Sequence, residues 1–289
     1  MTVSTTNLVL SPDSYVDLQV HTTYSDGLWT PEELIDHLAS ENFGLAAITD
    51  HDRPDVASTL QQLAIEKRMP LVVAVEMTSA WHGQLMDVLC FGFDLDQRAL
   101  TTLANDLNHR QAENTHEVYQ NLVRSGHIPK NQRGELSTLL EIPSSRQPHA
   151  LVDLVNKHGR GTGDPSAGKI VMEAGCTFAT NEVEAVVDAA HQSGGVALIA
   201  HPGREDGFIC FDSSLLDKFR KEVPIDGLEV YYPKHSAKQT AMFQKYATKY
   251  KLLLSAGSDS HTKDYPPIKY KAELIPALLE RLGIHIGRS

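Results

Sequence analysis

The sequence predicts an α/β fold built on a mostly parallel sheet, and three observations carry that expectation. Short β-branched, apolar runs recur at 16–20, 45–49, 71–75, 88–93, 196–200, 227–231 and 252–255. Between them lie segments with apolar residues at helical spacing, at 55–67, 100–124, 148–157, 182–193, 235–250 and 272–282. Alternation of strand and helix requires crossover connections and therefore parallel strands. The third observation is positional: carboxylates and imidazoles cluster just beyond the C-terminal ends of the runs, where barrels and open α/β sheets place their sites.

The first helix is signalled residue by residue. Thr30 is a good N-cap, Pro31 suits the first helical position, Glu33 completes a capping box, and Leu34, Ile35 and Leu38 share one face. From about 100 to 195 the strand rhythm stops. That stretch carries helical patterns and a glycine-rich run, 159–168, so it is expected to be an inserted helical subdomain, with 1–99 and 196–289 forming the main domain.

Composition narrows the class of function. A chain of 289 residues with 41% hydrophobic and 22% charged content has enough apolar material for a folded core. With 26 Lys and Arg against 37 Asp and Glu, the net charge of −11 opposes tight duplex binding, because a phosphate backbone is held by gathered cations. No apolar run approaches the ~20 residues that a bilayer helix needs. The first residues carry no basic segment ahead of their apolar ones, so a secretory leader is not expected and the cytoplasm is the expected compartment. The scattered cysteines Cys90, Cys176 and Cys210 are odd in number and suit neither a disulfide framework nor a cysteine-rich zinc site.

Histidine is the anomalous residue, at 14. His21 follows the run 16–20, Asp50 and His51 follow 45–49, Glu76 follows 71–75, His201 follows 196–200, and Asp259 and His261 follow 252–255 after a glycine turn. Any one of these could be a cap or turn former. Together they form a mixed nitrogen and oxygen donor set that suits Zn²⁺, Mn²⁺ or Fe²⁺ without choosing among them, and they exceed the four ligands of a single tetrahedral site. Nucleophilic and nucleotide-loop alternatives lack their signatures, since there is no G-x-S-x-G elbow, no P-loop, and no strand ahead of GRGTG at 159–163, whose glycines read as loop. Cys90, inside an apolar strand pattern, reads as a core thiol.

DLQVHTTYSDG at 17–27, ITDHD at 48–52, VEMTS at 75–79, IAHPGR at 199–204, GLEVYYPKH at 227–235 and GSDSH at 257–261 resemble the successive motifs of the PHP (polymerase and histidinol phosphatase) family. Within it the chain is most similar to the branch of stand-alone nucleotide phosphoesterases that includes a 3′,5′-nucleotide bisphosphate phosphatase and a 5′-to-3′ exoribonuclease. The resemblance implies a distorted seven-stranded β/α barrel with the helical insertion, and a cluster of two or three divalent ions, with Mn²⁺ favoured and Zn²⁺, Fe²⁺ or Mg²⁺ possible alternatives. It implies one site of His21, Glu76 and Asp259, a second in which Glu76 bridges to His201, and a third of Asp26, His51 and His261. Two positions depart from the family pattern. Gln19 stands where the first motif has a histidine, which weakens the site shared with His21 and Asp259, and Asp87 stands where a histidine is usual, as a hard oxygen ligand.

The same resemblance assigns Arg204 to phosphate binding and charge stabilisation, with its planar fork suited to two phosphoryl oxygens. It assigns Arg146 and His149, within SSRQPH at 144–149, to a second phosphate or a 5′ end, although the branch's R-x-H signature has one intervening residue and here there are two. His235 is expected to contact the substrate or protonate a leaving group, Asp50 to orient His51, and Glu229 to support the site from the core. The expected reaction is hydrolysis of phosphate monoesters or diesters of nucleotides or short oligonucleotides by a metal-activated water. The competing expectations are a different hydrolase reaction on the same scaffold, at an amide or lactone, and a non-catalytic metal-binding regulatory module. The partner is a small phosphorylated molecule, with neither a membrane nor tightly bound duplex DNA.

Overall fold

The computed structural model describes residues 3–130, 132, 134–159 and 165–287. In chain order the elements are β1 (Val9–Leu10), β2 (Tyr15–Val20), α1 (Pro31–Ser40), β3 (Phe43–Ile48), α2 (Ala57–Lys67), β4 (Leu71–Val72), β5 (Ala74–Trp81) and β6 (Gln84–Phe91). There follow α3 (Ala99–Arg124), α4 (Glu135–Glu141), α5 (Gln147–Lys157), α6 (Ala167–Glu173), β7 (Asn181–Glu182), α7 (Val183–Gln192) and β8 (Val196–Ile199). The chain ends with α8 (Ser213–Glu222), β9 (Gly227–Tyr231), α9 (Ala237–Tyr250), β10 (Leu253–Ala256), β11 (Tyr270–Lys271), α10 (Pro276–Arg281) and β12 (His285–Ile286).

The architecture is mixed α/β. One sheet runs β11-β2-β3-β4, a second runs β10-β9-β8-β6-β5-β7, and β1 pairs with β12. Parallel pairing holds for β2 with β3, β3 with β4, β8 with β9 and β9 with β10. The expected parallel order breaks at β6, which is antiparallel to both β5 and β8. The cause is a two-residue hairpin: His82 and Gly83 both have positive φ, 50° and 76°, a conformation that turns a strand straight back on itself. Isolated parallel bridges Val20↔Ser260 and His51↔Glu76 connect residues of the first sheet's strand ends to the second sheet.

The chain divides into two compact units, Met1–Ala104 with Thr180–Ser289, and Asn105–Ala179. The boundary falls at Ala179 and not at 195, because α7 places Val183, Val186, Val187 and Ala190 in the same buried cluster as Met77, Val88 and Ile199. In the first unit a second cluster draws on both sheets, joining Val16, Leu18 and Leu45 to Leu89, Phe91 and Leu198. α1 forms as its sequence dictates, with the Thr30–Glu33 capping box made in both directions and Leu34, Ile35 and Leu38 buried. Each such buried side chain contributes about 1.5–3 kcal/mol relative to exposure. The second unit has its own helical core, formed by Val118, Leu122, Ile128, Leu139, Leu151, Val155, Ile170 and Val171. Of the glycine-rich run, residues 160–164 lie outside the described residues, and its end is helical, since α6 starts at Ala167 with the Ser166 hydroxyl accepting from Lys169 N.

Among the described residues no helix is long and apolar enough to cross a membrane. Cys90 is fully buried in the apolar cluster, and burial pushes its thiol well above the ordinary range, as a core thiol requires.

Candidate metal centre

Strand ends supply the site. His21 follows β2, His51 follows β3, Glu76 and Asp87 lie within β5 and β6, His201 follows β8, and Asp259 and His261 follow β10. Two of these residues sit in left-handed backbone, His201 at φ 28° and Asp259 at φ 56°, which a non-glycine residue adopts at a cost and which clusters at functional sites. The strain at His201 is held by its N–H, which donates to Glu229 Oε2 at 2.9 Å. The N–H of Asp259 donates to the Gln19 carbonyl at 2.9 Å.

The donors converge around Glu76. His21 Nε2 lies 3.0 Å from Glu76 Oε2 and 3.3 Å from Asp259 Oδ1. His201 Nε2 lies 3.1 Å from Glu76 Oε1 and 3.6 Å from Asp87 Oδ2. At the more open side, His261 Nε2 is 3.2 Å from Asp26 Oδ1, and His51 Nε2 is 4.0 Å from Asp26 Oδ2. The His21 ring stacks between His261 at 4.2 Å and His51 at 4.8 Å. Among the described residues, three donor groups have atoms within 4.8 Å of one another: His21, Asp26, His51 and His261; His21, Glu76 and Asp259; and His51, Glu76 and Asp87.

The fit to metal ions rests on unpartnered buried atoms. Both ring nitrogens of fully buried His21, Asp87 Oδ2 and His51 Nδ1 make no hydrogen bond, although buried polar groups are almost always satisfied. A divalent ion bound among these donors would satisfy them, displacing protons from the imidazoles as it bound. His261 is oriented in the same sense, because its Nδ1–H donates to the Asp259 carbonyl at 2.8 Å and leaves Nε2 toward Asp26.

The acids and imidazoles of the cluster act strongly on one another, and an ion bound at His21 would have to displace a proton. Burial alone would raise the Glu76 carboxyl, but the charges of His51, His201 and His21 outweigh it and hold it well below the usual range. Asp26 is likewise held far down, against burial, by His51, His261 and His21. Burial would lower His21, yet Asp259 and Glu76 push it well above its ordinary value. Asp87 goes the other way: burial and the neighbouring Glu76 charge raise it strongly, so an uncompensated Asp87 carboxylate is unfavourable there.

Around the cluster, further side chains fix the loops. Gln19 is fully buried and donates through Nε2 to Glu76 Oε2 at 2.8 Å, leaving its own Oε1 without a partner. The Asp50 carboxylate accepts from Thr22 N at 2.7 Å, Thr22 Oγ1 at 2.6 Å and Ser25 Oγ at 2.7 Å, so it holds the turn carrying Asp26, where His51 was the expected partner. Tyr232 Oη donates to Asp259 Oδ2 at 3.3 Å; sequence reasoning missed it, although it directly follows β9 in the same motif as His235.

His235 stands differently from expectation. Its Nδ1–H donates to the Val230 carbonyl at 3.1 Å, and its Nε2 accepts from Gly203 N–H at 3.1 Å. Both nitrogens are therefore committed to backbone, and burial lowers the group to about 4. In this structure His235 clamps the loop after His201 through both nitrogens. Gln239 Nε2 grips the same residue by donating to the Gly203 carbonyl at 3.0 Å. A Cβ at position 203 would lie 2.7 Å from Gln239 Nε2 and 2.8 Å from the His235 ring, so a larger residue there would push this clamp aside.

Arg204 pairs through Nε with Asp206 Oδ1 at 2.5 Å and through Nη2 with Asp206 Oδ2 at 3.1 Å, and its guanidinium lies 4.0 Å from the centroid of the Phe208 ring. Arg146 and His149 belong to the second compact unit. Arg146 ends a short helical turn ahead of α5, and exposed His149, in the first turn of α5, has its ring 5.8 Å from that of Phe178.

A sequence model of the PHP domain matches residues 17–164. Among curated relatives, a 5′-3′ exoribonuclease of Haemophilus influenzae is 26% identical over 250 residues, covering 85% of this chain and 89% of its own. A 3′,5′-nucleoside bisphosphate phosphatase of Chromobacterium violaceum is 26% identical over 268 residues, covering 88% and 93%. A solved structure from Chromobacterium violaceum, described as an amidohydrolase with bound sulfate, superposes with a TM-score of 0.71 at 22% identity over 93% of this chain and 96% of that one. At that identity the structural likeness carries the fold and not the chemistry.

Proposed function

We propose, from the premise that the chain belongs to the PHP domain family, that it is a metal-dependent phosphoesterase acting on nucleotides or short oligonucleotides. The observation that carries this is the convergence of fully buried His21 on Glu76 and Asp259, at 3.0 and 3.3 Å, beside Asp87 and His201. The relatives named for exoribonuclease and bisphosphate phosphatase activity support the substrate class.

His21, Glu76 and Asp259 would hold one divalent ion, Glu76 with Asp87 and His201 a second, and Asp26, His51 and His261 a third. Glu76 lies between the first two sets with one oxygen toward each, which supports a bridging role. Asp87, a carboxylate where the family pattern has a histidine, shifts the donor set toward Mn²⁺. When bound, such ions supply a water of lowered pKa and compensate charge on the phosphoryl oxygens. The chain's own residues do the rest. Asp50 holds the turn that presents Asp26, Glu229 holds His201, and His235 with Gln239 holds Gly203. Arg204 offers its fork to a phosphate of the substrate. Arg146 and His149 remain candidates for a second phosphate on the helical insertion.

The bridges Val20↔Ser260 and His51↔Glu76 support reading the two sheets as one distorted barrel whose strand ends ring the site. Release of phosphate from mono- and bisphosphorylated nucleotides and short oligonucleotides, compared with Mn²⁺, Mg²⁺ and Zn²⁺, tests the proposal. Turnover of a nucleotide with added metal and none after chelation is expected, whereas no phosphate release from any of these substrates under any metal refutes it.

A further inference from the structure

The pairing of Arg204 with Asp206 bears on which anions the site admits. Two atoms of the guanidinium face the two carboxylate oxygens, at 2.5 and 3.1 Å. That fork-to-fork arrangement is the one Arg also makes with two oxygens of a phosphate. The Asp206 side chain is 65% exposed while that of Arg204 is 25% exposed, so the acid sits on the solvent side of the pair. The arginine does not depend on the acid for its place. Its guanidinium lies on the face of Phe208, and Phe208 in turn meets the His201 ring edge to face at 5.5 Å. Its backbone N–H is bonded to the His201 carbonyl at 2.9 Å. One aromatic ring thus separates the Arg204 charge from the metal-centre histidine.

We infer that Asp206 is a built-in competitor for the phosphate-binding fork of Arg204: its carboxylate occupies the fork in the free protein, and a phosphoryl group of the substrate displaces it. The inference rests on the proposal that Arg204 takes a phosphate of the substrate. An exposed ion pair contributes little to stability, so exchange costs little. A terminal phosphate near pH 7 carries more charge than a single carboxylate and wins the exchange, whereas a weak monoanion does not. Asp206 would then act as a filter that favours terminal phosphates.

Steady-state kinetics with a nucleoside 3′,5′-bisphosphate in the presence of Mn²⁺, together with the inhibition constant of inorganic phosphate, test this in Asp206→Asn, Arg204→Gln and the double variant. For Asp206→Asn, KM and the inhibition constant are both expected to fall about two- to five-fold, the range set by exposed ion pairs, with kcat within about twofold. Asp206→Ser serves as a second neutral replacement with the same expectation. In the Arg204→Gln background the Asp206 change is expected to have no effect, as a coupled pair requires. If KM for both Asp206 variants is unchanged or higher, Asp206 is a bystander or an orienter of Arg204 and the inference is overturned. If instead Arg204→Gln leaves KM unchanged, it is the phosphate-binding proposal for Arg204 that fails.

Discussion

Gln19 donates a 2.8 Å hydrogen bond through its side-chain amide to Oε2 of Glu76, and both residues are fully buried. The amide N–H positions the Glu76 carboxylate, while the amide oxygen, buried and without a partner, is only a weak neutral donor compared with an imidazole. The first metal set proposed above then rests chiefly on His21, Glu76 and Asp259. Gln19→His would present an imidazole lone pair at similar reach. Metal retained per chain after dialysis, measured by elemental analysis, is expected to rise in that variant, from fewer than three ions. Equal and full occupancy in both proteins would show that Gln19 does not limit the site.

His235 gives a pH signature. Its folded value of about 4 lies below the ordinary 6.5 because burial opposes the charged form. The neutral ring is therefore favoured in the folded state. Its contribution is complete above about pH 6.5 and is lost as pH falls from there through 4, a span on the order of 2–3 kcal/mol. Gln at 235 keeps an acceptor near the Nε2 position but does not titrate. The unfolding free energy of wild type is expected to fall more between pH 7.5 and 4.5 than that of His235→Gln, as read by urea denaturation. Parallel pH dependence in the two proteins would remove His235 from this role.

Asp17 lies fully buried beneath the site and accepts from Ser258 N at 2.9 Å and Gln19 N at 3.3 Å on one oxygen, and from Ile268 N at 2.8 Å on the other. An asparagine can keep only one of these acceptor oxygens and turns an N–H toward a backbone N–H. Asp17→Asn is expected to cost about 1–3 kcal/mol, the penalty for unsatisfied buried groups. A urea midpoint equal to that of wild type would contradict this.

Much of the scaffold was legible in the sequence because strand runs and capping signals are local. The runs at 16–20, 196–200 and 227–231 match β2, β8 and β9 within one residue, and the Thr30 capping box forms as expected. The antiparallel β5–β6 hairpin was missed because the run 71–75 hid a longer strand, although WHGQ at 81–84 carried the turn signal. α8 was missed too, although Asp212 caps it through its side chain to Leu215 N. The residues that the structure gathers around Glu76 were legible where they follow or lie within a strand, as His21, His51 and His201 do; their partners were not. The commitment of His235 to Val230 and Gly203, and of Asp50 to Thr22 and Ser25, depends on loop paths that no spacing encodes.

Substrate preference follows from charge. A chain of net charge −11 has little to neutralise a long phosphate backbone, whereas one arginine fork suffices for a terminal phosphate. Bisphosphorylated nucleotides or 5′-phosphorylated short oligonucleotides are expected to give higher kcat/KM than duplex DNA of the same nucleotide concentration. Efficient cleavage inside a duplex would overturn this.

The central claim is that the Glu76-centred cluster holds the ions on which phosphoester hydrolysis depends. It is tested most directly by metal content and phosphate release measured side by side on wild type, Glu76→Gln and Asp259→Asn, with a nucleoside 3′,5′-bisphosphate as substrate. An amide lacks the charge that balances a divalent pair. Both variants are expected to lose bound metal and to fall in turnover by about a hundredfold or more, and chelated wild type is expected to be inactive until Mn²⁺ is restored. Near-normal phosphate release from Glu76→Gln, or from wild type shown to be free of metal, would contradict the account.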